Sequence, residues 1–560
     1  MCFFNYFFHF LHGESTFVNS QEFTWRSRGF QRNPLDAFSD AADSKGIHLN
    51  IFIVIQSTNM SVWSSIGKGE SFGQRTAPSA SITGANMAPP TELSETTMIE
   101  TKENKPSLLT IHPSLTTTTR KKIQVIIEDE PKKTRVLFCG TYPVGQSNGY
   151  SRVVYYIAKY LGLKDDIELT IYGFQNFRQA TTSTRNDIPD TVKLHDAFAT
   201  ENPKRNGFGE NEIADFLKKN PQDIVIIFND SVVTTMLVKN IVENMTEAER
   251  ASFKLVSYMD QVYPYQRSEY IQMINQYFHA VIAFTPYWKE VARKIGVKPE
   301  IPIYYFPHGF DPKLYYPIPK KVARLFYQLP DDAFILLNLN RNQPRKRWDH
   351  TIMAYADVVQ RHMELVQKEP HKKHRPILLM VGTAMTGFWD LLELFDLEVK
   401  KRNLSVEKAR EYLTTIAKPQ QMSDRDINIM YNACDVGLNT CEGEGFGLCQ
   451  FEHLAVGCPQ VAANIGGFKE FLHADNSTLV EPKWFYYVDK VRDGIGGYAE
   501  VSDPKDVADA IWKYYTQPKL LSKHGQRGRQ EVLQHYRWDV LIDLLHQAIT
   551  RTVGDAPSPL

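Results

Sequence analysis

The chain has 560 residues, room for two or more domains of the usual size, and its 64 Lys and Arg balance its 64 Asp and Glu. A formal net charge of zero leaves no global field to draw it to nucleic acid or to an anionic membrane surface. Six cysteines, at positions 2, 139, 434, 441, 449 and 458, form neither C-x-x-C pairs nor a disulfide-dense pattern. That usage points to a reducing, cytoplasmic setting and to small buried side chains rather than metal ligands.

The opening MCFFNYFFHFLHG is apolar but too short to span a bilayer, and it lacks a basic leader and a cleavage site, so it is read as neither signal nor anchor. From Asn59 to about Leu115 the composition turns to Ser, Thr, Pro and Gly, which bury too little surface to offset the entropy of ordering. Residues 1–133 are therefore expected to be a disordered extension.

Order is predicted to begin at residue 134. RVLFC (135–139) reads as a buried strand, followed by a turn containing Gly140, Pro143, Gly145 and Gly149. A helix comes next, with Val153, Tyr156, Ile157, Tyr160 and Leu161 at helical spacing, and ELTIYGF (168–174) is the following strand. This is a βαβ unit, although its GQSNGYS turn is not the G-x-G-x-x-G fingerprint. DIVIIFND (223–230) is a further strand ending in two polar residues. FKLVSYMD places Asp260 just past another, at the strand ends where open α/β sheets take their ligands. Asp260 is either a ligand contact or a local cap. HAVIAFTPYWKEVARKIG supplies a strand over 280–283, Thr285 as N-cap and a helix stopped at Gly296. FILLNLNRNQPRKRWDH is a strand over 334–339 that delivers Arg341 and Lys346, while Arg345 and Arg347 read as a solvated charge run. PILLMVG (376–382) is the next strand, and the charged stretch after it is expected to be mostly helix.

DVGLNTCEGEGFGLCQFEHLAVGCPQVAANIGG (435–467) then reads as strand, glycine-rich loop, helix, strand and a second glycine turn. The strand covers 436–439, and the loop runs from Thr440 to Gly447. The helix starts near Leu448, buries Leu448, Phe451, Leu454 and Ala455 on one face, and stops at Gly457 ahead of Pro459. Such a loop presents unpaired backbone N–H groups at a helix N-terminus, where an anion such as phosphate is favoured. Glu444 and Glu452, separated by seven residues, sit oddly beside a phosphate. Carboxylates there suit hydroxyl partners, and a ligand with both phosphates and hydroxyls is a sugar nucleotide. Past Gly467 the chain is expected to be loose up to Gly497. SDPKDVADAIWKYY is then a capped helix and YRWDVLIDLLHQAI a last amphipathic one.

The run EGFGLCQFEHLAVGCPQVAA, with Glu444 and Glu452 in E-x7-E spacing, resembles the donor-site signature of retaining glycosyltransferases of the GT-B fold, most closely family 4. The resemblance covers about residues 134–552 and implies an α/β architecture of two Rossmann-like domains facing across a cleft. The acceptor domain is expected over 134–312 and the nucleotide-sugar donor domain over 313–535, with a segment over 536–560 whose helix crosses back to the first. It implies a hexose moved from a nucleoside diphosphate sugar to a hydroxyl of a glycan, lipid or small molecule, with no other cofactor and no metal. The roles it implies place Glu444 near the transferred sugar and Glu452 on the ribose. Arg341 and Lys346 take the diphosphate, Gly149 (and less directly Gly145) approaches it from the first domain, and Gly445, Phe446, Gly447 and Leu448 form the donor loop. Asp260 stands where the family often has histidine. IYYFPHGFDPKLYYP resembles the segment between domains, and His308, Gly309 and Asp311 are read there as structural. No nucleic acid partner or membrane span is expected, and peripheral membrane contact is left open. A noncatalytic scaffold on the same fold is one alternative, and a dinucleotide-dependent oxidoreductase is another that lacks its glycine fingerprint here.

Overall fold

A computed structural model describes residues 132–145, 148–177, 185–202, 206–416, 422–489 and 494–554. The expected disordered extension falls outside these residues up to position 131.

The first sheet contains β1 (Thr134–Thr141), β2 (Ile167–Phe174), β3 (Lys193–Asp196), β4 (Ile224–Asn229), β5 (Lys254–Met259), β6 (Ala280–Ala283) and β7 (Ile303–Tyr305), in the spatial order β3-β2-β1-β4-β5-β6-β7. All of its pairings are parallel. Every residue of β4 is buried, as expected of a parallel strand covered on both faces. The second sheet contains β8 (Phe334–Asn338), β9 (Ile377–Val381), β10 (Leu413–Thr415), β11 (Val436–Asn439), β12 (Gln460–Ala463) and β13 (Thr478–Val480), ordered β10-β9-β8-β11-β12-β13 and again parallel. Each sheet thus reverses its strand order beside its first strand, between β1 and β4 and between β8 and β11. Doubly wound sheets bind ligands at such a switch point, beyond the strand ends.

The helices that matter for the cleft are α1 (Gly149–Leu161), α2 (Ser231–Asn244), α3 (Pro286–Lys294), α4 (Trp348–Lys368), α5 (Asp424–Ala433), α6 (Leu448–Ala455) and α7 (Trp538–Gly554). Asn148 caps α1 by accepting from Ser151 N, and Asp230 caps α2. Thr285 caps α3 as its sequence position predicts. The last helix packs on α1. Trp538 is buried and stacks on Tyr156 of α1 at 5.2 Å, and Tyr536 O accepts from Phe310 N at 2.6 Å. Gly309 is required there, because a Cβ would come within 2.5 Å of the Trp538 ring.

Three local expectations change. The strand after residue 334 ends at Asn338, and Lys346 sits in a single turn, Pro344–Lys346, that precedes α4. Pro344 starts that turn, and Arg347 closes it in a left-handed conformation, φ 47°. The charged stretch after β9 includes β10 as well as helices. Finally, the segment expected to be loose before Gly497 holds β13 and an antiparallel hairpin, β14 (Pro482–Val488) with β15 (Gly497–Ser502). Its KWFYYV run is rich in the aromatic residues that favour strands.

Candidate active site

Both switch points open into one cavity of about 870 Å³. From the first domain it is lined by residues at or beyond the ends of β1 (Thr141, Asn148, Gly149, Tyr150), β4 (Asn229, Asp230) and β5 (Asp260, Val262). From the second it is lined by Asn340, Arg341, Arg345 and Lys346 after β8, and by Glu444, Phe446, Gly447 and Leu448 after β11. Residues far apart in sequence meet here because parallel strands all end on the same side of their sheet.

The loop between β11 and α6 is shaped by close approach. Gly447 precedes α6 with φ 93°, and a Cβ there would come within 2.3 Å of the Phe468 ring. A Cβ on Gly445 would lie 2.1 Å from Asp260 Oδ1, so the first domain touches the loop backbone directly. Trp288 Nε1 of α3 donates to Gly445 O at 2.7 Å and pins it. The other glycine turn meets the same helix, since the nearest neighbour of a Cβ on Gly149 is Leu448 Cδ1 at 3.0 Å. No side chain caps α6, and its first residues, Leu448, Cys449 and Gln450, line the cavity. The uncapped turn offers its N–H groups and partial positive charge to an anion.

The charges are arranged in layers. Lys346 Nζ bonds to Glu444 Oε2, and Arg345 lies 3.7 Å from the other oxygen of that carboxylate. Burial works against charge on Glu444, but Lys346 and Arg345 overcome it and hold its carboxyl below the ordinary range. Arg341 stands exposed at the cavity rim. Facing this group across the cleft, Tyr150 donates its hydroxyl to Asp260. Burial pushes the Asp260 carboxyl up to about 6, with Tyr150 and Arg345 opposing the rise.

Glu452 and Gly445 do not line the cavity. Glu452, on the second turn of α6, is 2% exposed; its Oε1 accepts from Arg152 of α1, and its Oε2 accepts from Tyr431 of α5 at 3.0 Å. Arg152 also reaches Asp424 at 3.3 Å, and Arg185 binds the same carboxylate at 3.3 Å. Burial raises the Glu452 carboxyl, and Arg152 and Tyr431 hold it partly back. Glu452 therefore belongs to a buried ionic cluster joining the two domains behind the cavity wall.

Four contributors were not singled out from the sequence. Arg345, read as part of a solvated run, lines the cavity, whereas its neighbour Arg347 turns away to Asp349 and to Glu442 at 3.2 Å. Three cations in a row after a strand were the available signal. Tyr150 and Arg152 follow the Gly149 turn with no sequence mark of their own. His308, read as structural, also lines the cavity. It is 4% exposed, packed at 4.5 Å against Phe284 and at 4.7 Å against Phe446, and neither ring nitrogen has a hydrogen-bond partner among the described residues. Burial lowers its pKa to about 3, so the ring is neutral. Gly309 and Asp311, by contrast, are structural, Asp311 accepting from Lys313 N at 2.9 Å. No described helix is long and apolar enough to cross a membrane.

Residues 320–531 match the family model described as glycosyl transferases group 1. The chain is 27% identical over 253 residues to a D-inositol 3-phosphate glycosyltransferase of Saccharomonospora viridis, covering 44% of this chain and 51% of that one. It is 25% identical over 239 residues to the alpha-1,3/1,6-mannosyltransferase ALG2 of Mus musculus, covering 42% and 49%. It thus spans about half the length of the curated relatives it matches. Among solved structures it superposes on a sucrose-phosphate synthase from Thermosynechococcus elongatus with a TM-score of 0.54, at 17% identity over 75% of this chain and 99% of that one. It superposes on Anabaena HepE in complex with UDP and glucose with a TM-score of 0.52, at 16% identity over 75% and 100%. The two Rossmann-like domains take the GT-B arrangement, and the glycosyl transferases group 1 match falls across the second of them.

Proposed function

We propose that the protein transfers a hexose from a nucleoside diphosphate sugar to an acceptor hydroxyl, with retention at the anomeric carbon and without a divalent metal. The observation that carries this reading is the meeting of Arg341, Arg345 and Lys346 with the uncapped start of α6 in one cavity, opposite Asp260. That is a seat for a diphosphate, with a carboxylate on the far wall to receive a hydroxyl. The family match and the relatives named for glycosyl transfer support it.

In this reading the diphosphate lies against α6 and the three cations, and the transferred sugar lies beside Glu444. The acceptor oxygen bonds to the anomeric carbon as that carbon's bond to the diphosphate oxygen breaks on the same face. The acceptor proton passes to that diphosphate oxygen, and the nucleoside diphosphate leaves. Charge grows on the leaving group, and preorganised cations and backbone N–H groups stabilise it where it forms. Asp260, oriented by Tyr150, accepts from a neighbouring hydroxyl of the acceptor and so aligns the reacting one, whose own proton stays free for the diphosphate oxygen.

The test is a panel of nucleotide sugars scored by thermal stabilisation of the full chain and then by product anomer. A donor at about 100 times its Kd stabilises by roughly 2.7 kcal/mol. Failure of every nucleotide sugar to raise Tm refutes the reading, and an inverted product refutes its stereochemistry.

A further inference from the structure

The hairpin of β14 and β15 carries an aromatic surface that the transfer reaction as described does not use. Its register pairs Phe485 with Glu500 and Tyr487 with Tyr498, which puts these four side chains on one face. On the other face Val488, Ala499 and Val501 are buried, while Trp484 and Tyr486 of that face remain 49% and 38% exposed. On the outer face Phe485 is 62% exposed, Tyr487 47% and Tyr498 44%, and Tyr265 of the first domain, 51% exposed, stands edge-on to Tyr498 at 5.9 Å. Tyr265 is held there in a left-handed backbone, φ 56°, which is unusual for a bulky residue. A contiguous exposed aromatic face of this kind marks a binding surface.

Its position says what it binds. Glu500 N donates to Glu442 O of the donor loop at 3.0 Å, and Tyr498 N donates to Pro264 O of the first domain at 2.9 Å. Tyr486 adds its hydroxyl to the Glu442 carboxylate. The hairpin therefore bridges both walls of the cleft at its mouth, and Ile495, just ahead of β15, lines the cavity itself. Three of the four outer rings carry hydroxyls, and Glu500 sits among them. Of the cations around it, Lys483 pairs with Asp503 and Asp506 and Arg267 with Glu269 and Asp489, while Lys469 lies over the Tyr287 ring and is offset by Glu500 itself. A lipid surface is poorly matched by a face with a carboxylate and no surplus positive charge. A sugar chain is well matched, since each ring has an apolar face to stack and hydroxyls to bond. Alternate residues of a strand are about 7 Å apart, the scale of one hexose.

We propose that Phe485, Tyr487, Tyr498 and Tyr265 form an extended subsite for an oligosaccharide acceptor, whose reacting end enters the cavity past Ile495. The proposal rests on the glycosyl transfer reading and adds the class of acceptor. The experiment titrates the full chain with maltohexaose, cellohexaose and α-1,6-linked mannohexaose, each beside its monosaccharide, and follows tryptophan fluorescence and heat. Binding of at least one hexasaccharide but not its monosaccharide is expected. The double variant Phe485→Ala, Tyr498→Ala weakens it about tenfold or more. Stabilisation by nucleoside diphosphates stays as in the parent, because neither residue lines the donor seat. No hexasaccharide binding, or binding indifferent to the double variant, overturns the proposal. So does co-sedimentation with phosphatidylcholine vesicles containing phosphatidylserine, or self-association by light scattering, if the same variant abolishes it. Loss of all nucleotide effects in the parent refutes the transfer reading instead, while the hexasaccharide titration still decides the subsite.

Discussion

Replacing Glu452 by leucine leaves the Arg152 guanidinium buried without its nearer carboxylate. The Arg152 and Glu452 side chains are only 7% and 3% exposed, and they join α1 of one domain to α6 of the other. Breaking a buried ion pair by removing one partner costs about 3–5 kcal/mol. Arg152 keeps Asp424 at 3.3 Å, which places Glu452→Leu at the lower end, about 3 kcal/mol. Arg152→Met strands Glu452 with the Tyr431 hydroxyl at 3.0 Å and is expected to cost about 4 kcal/mol. The double variant removes both charges and keeps similar volume, so its loss should be well under the sum, with a coupling of about 2–3 kcal/mol. Equilibrium unfolding in guanidinium, followed by tryptophan fluorescence, measures all three. Additivity to within about 0.5 kcal/mol would refute the claim that this pair is buried and coupled.

Lys346→Ala should lower turnover by about a hundredfold or more, the scale of deleting one preorganised charge-stabilising group, while transfer by the parent survives EDTA; abolition by EDTA with recovery on adding Mn²⁺ or Mg²⁺ defeats the metal-free reading. Because the Asp260 carboxyl titrates near pH 6 in the folded chain and near 3.9 unfolded, the folded state binds more protons between those values, so stability falls as pH rises across that window. That rise corresponds to about 3 kcal/mol, and Asp260→Asn should flatten this part of the stability profile; an unchanged pH profile in that variant rules the burial argument out. His308→Phe removes two ring nitrogens that have no partner among the described residues and should stabilise the fold by about 1–3 kcal/mol. If His308 serves the bound sugars, the same change raises KM, and a variant that is neither more stable nor weaker in binding contradicts its placement in the cavity.

Much of the second domain's side of the cavity was legible in the chain itself. Gly443, Gly445 and Gly447 ahead of an apolar helical stripe that ends at Gly457 specify a strand, a loop and a helix start by local rules alone, and β11 and α6 appear where those rules put them. Arg341 and Lys346 were recognisable because they follow a buried strand. Local patterns fail where side chains answer to partners remote in sequence. Arg345 and Arg347 are alike in the sequence, yet the left-handed turn at Arg347 sends one to Glu444 and the other to Glu442. Arg152 pairs with Glu452, 300 positions away, and the rings packed on His308 come from both domains. The hairpin's aromatic run signals a strand, but not that its edges bond to Glu442 and Pro264 at the mouth of the cleft. Periodicity reports which face of an element is apolar. Which charge meets which, and which polar group is left facing a cavity, depends on how the two sheets are brought together, and only the tertiary structure decides that.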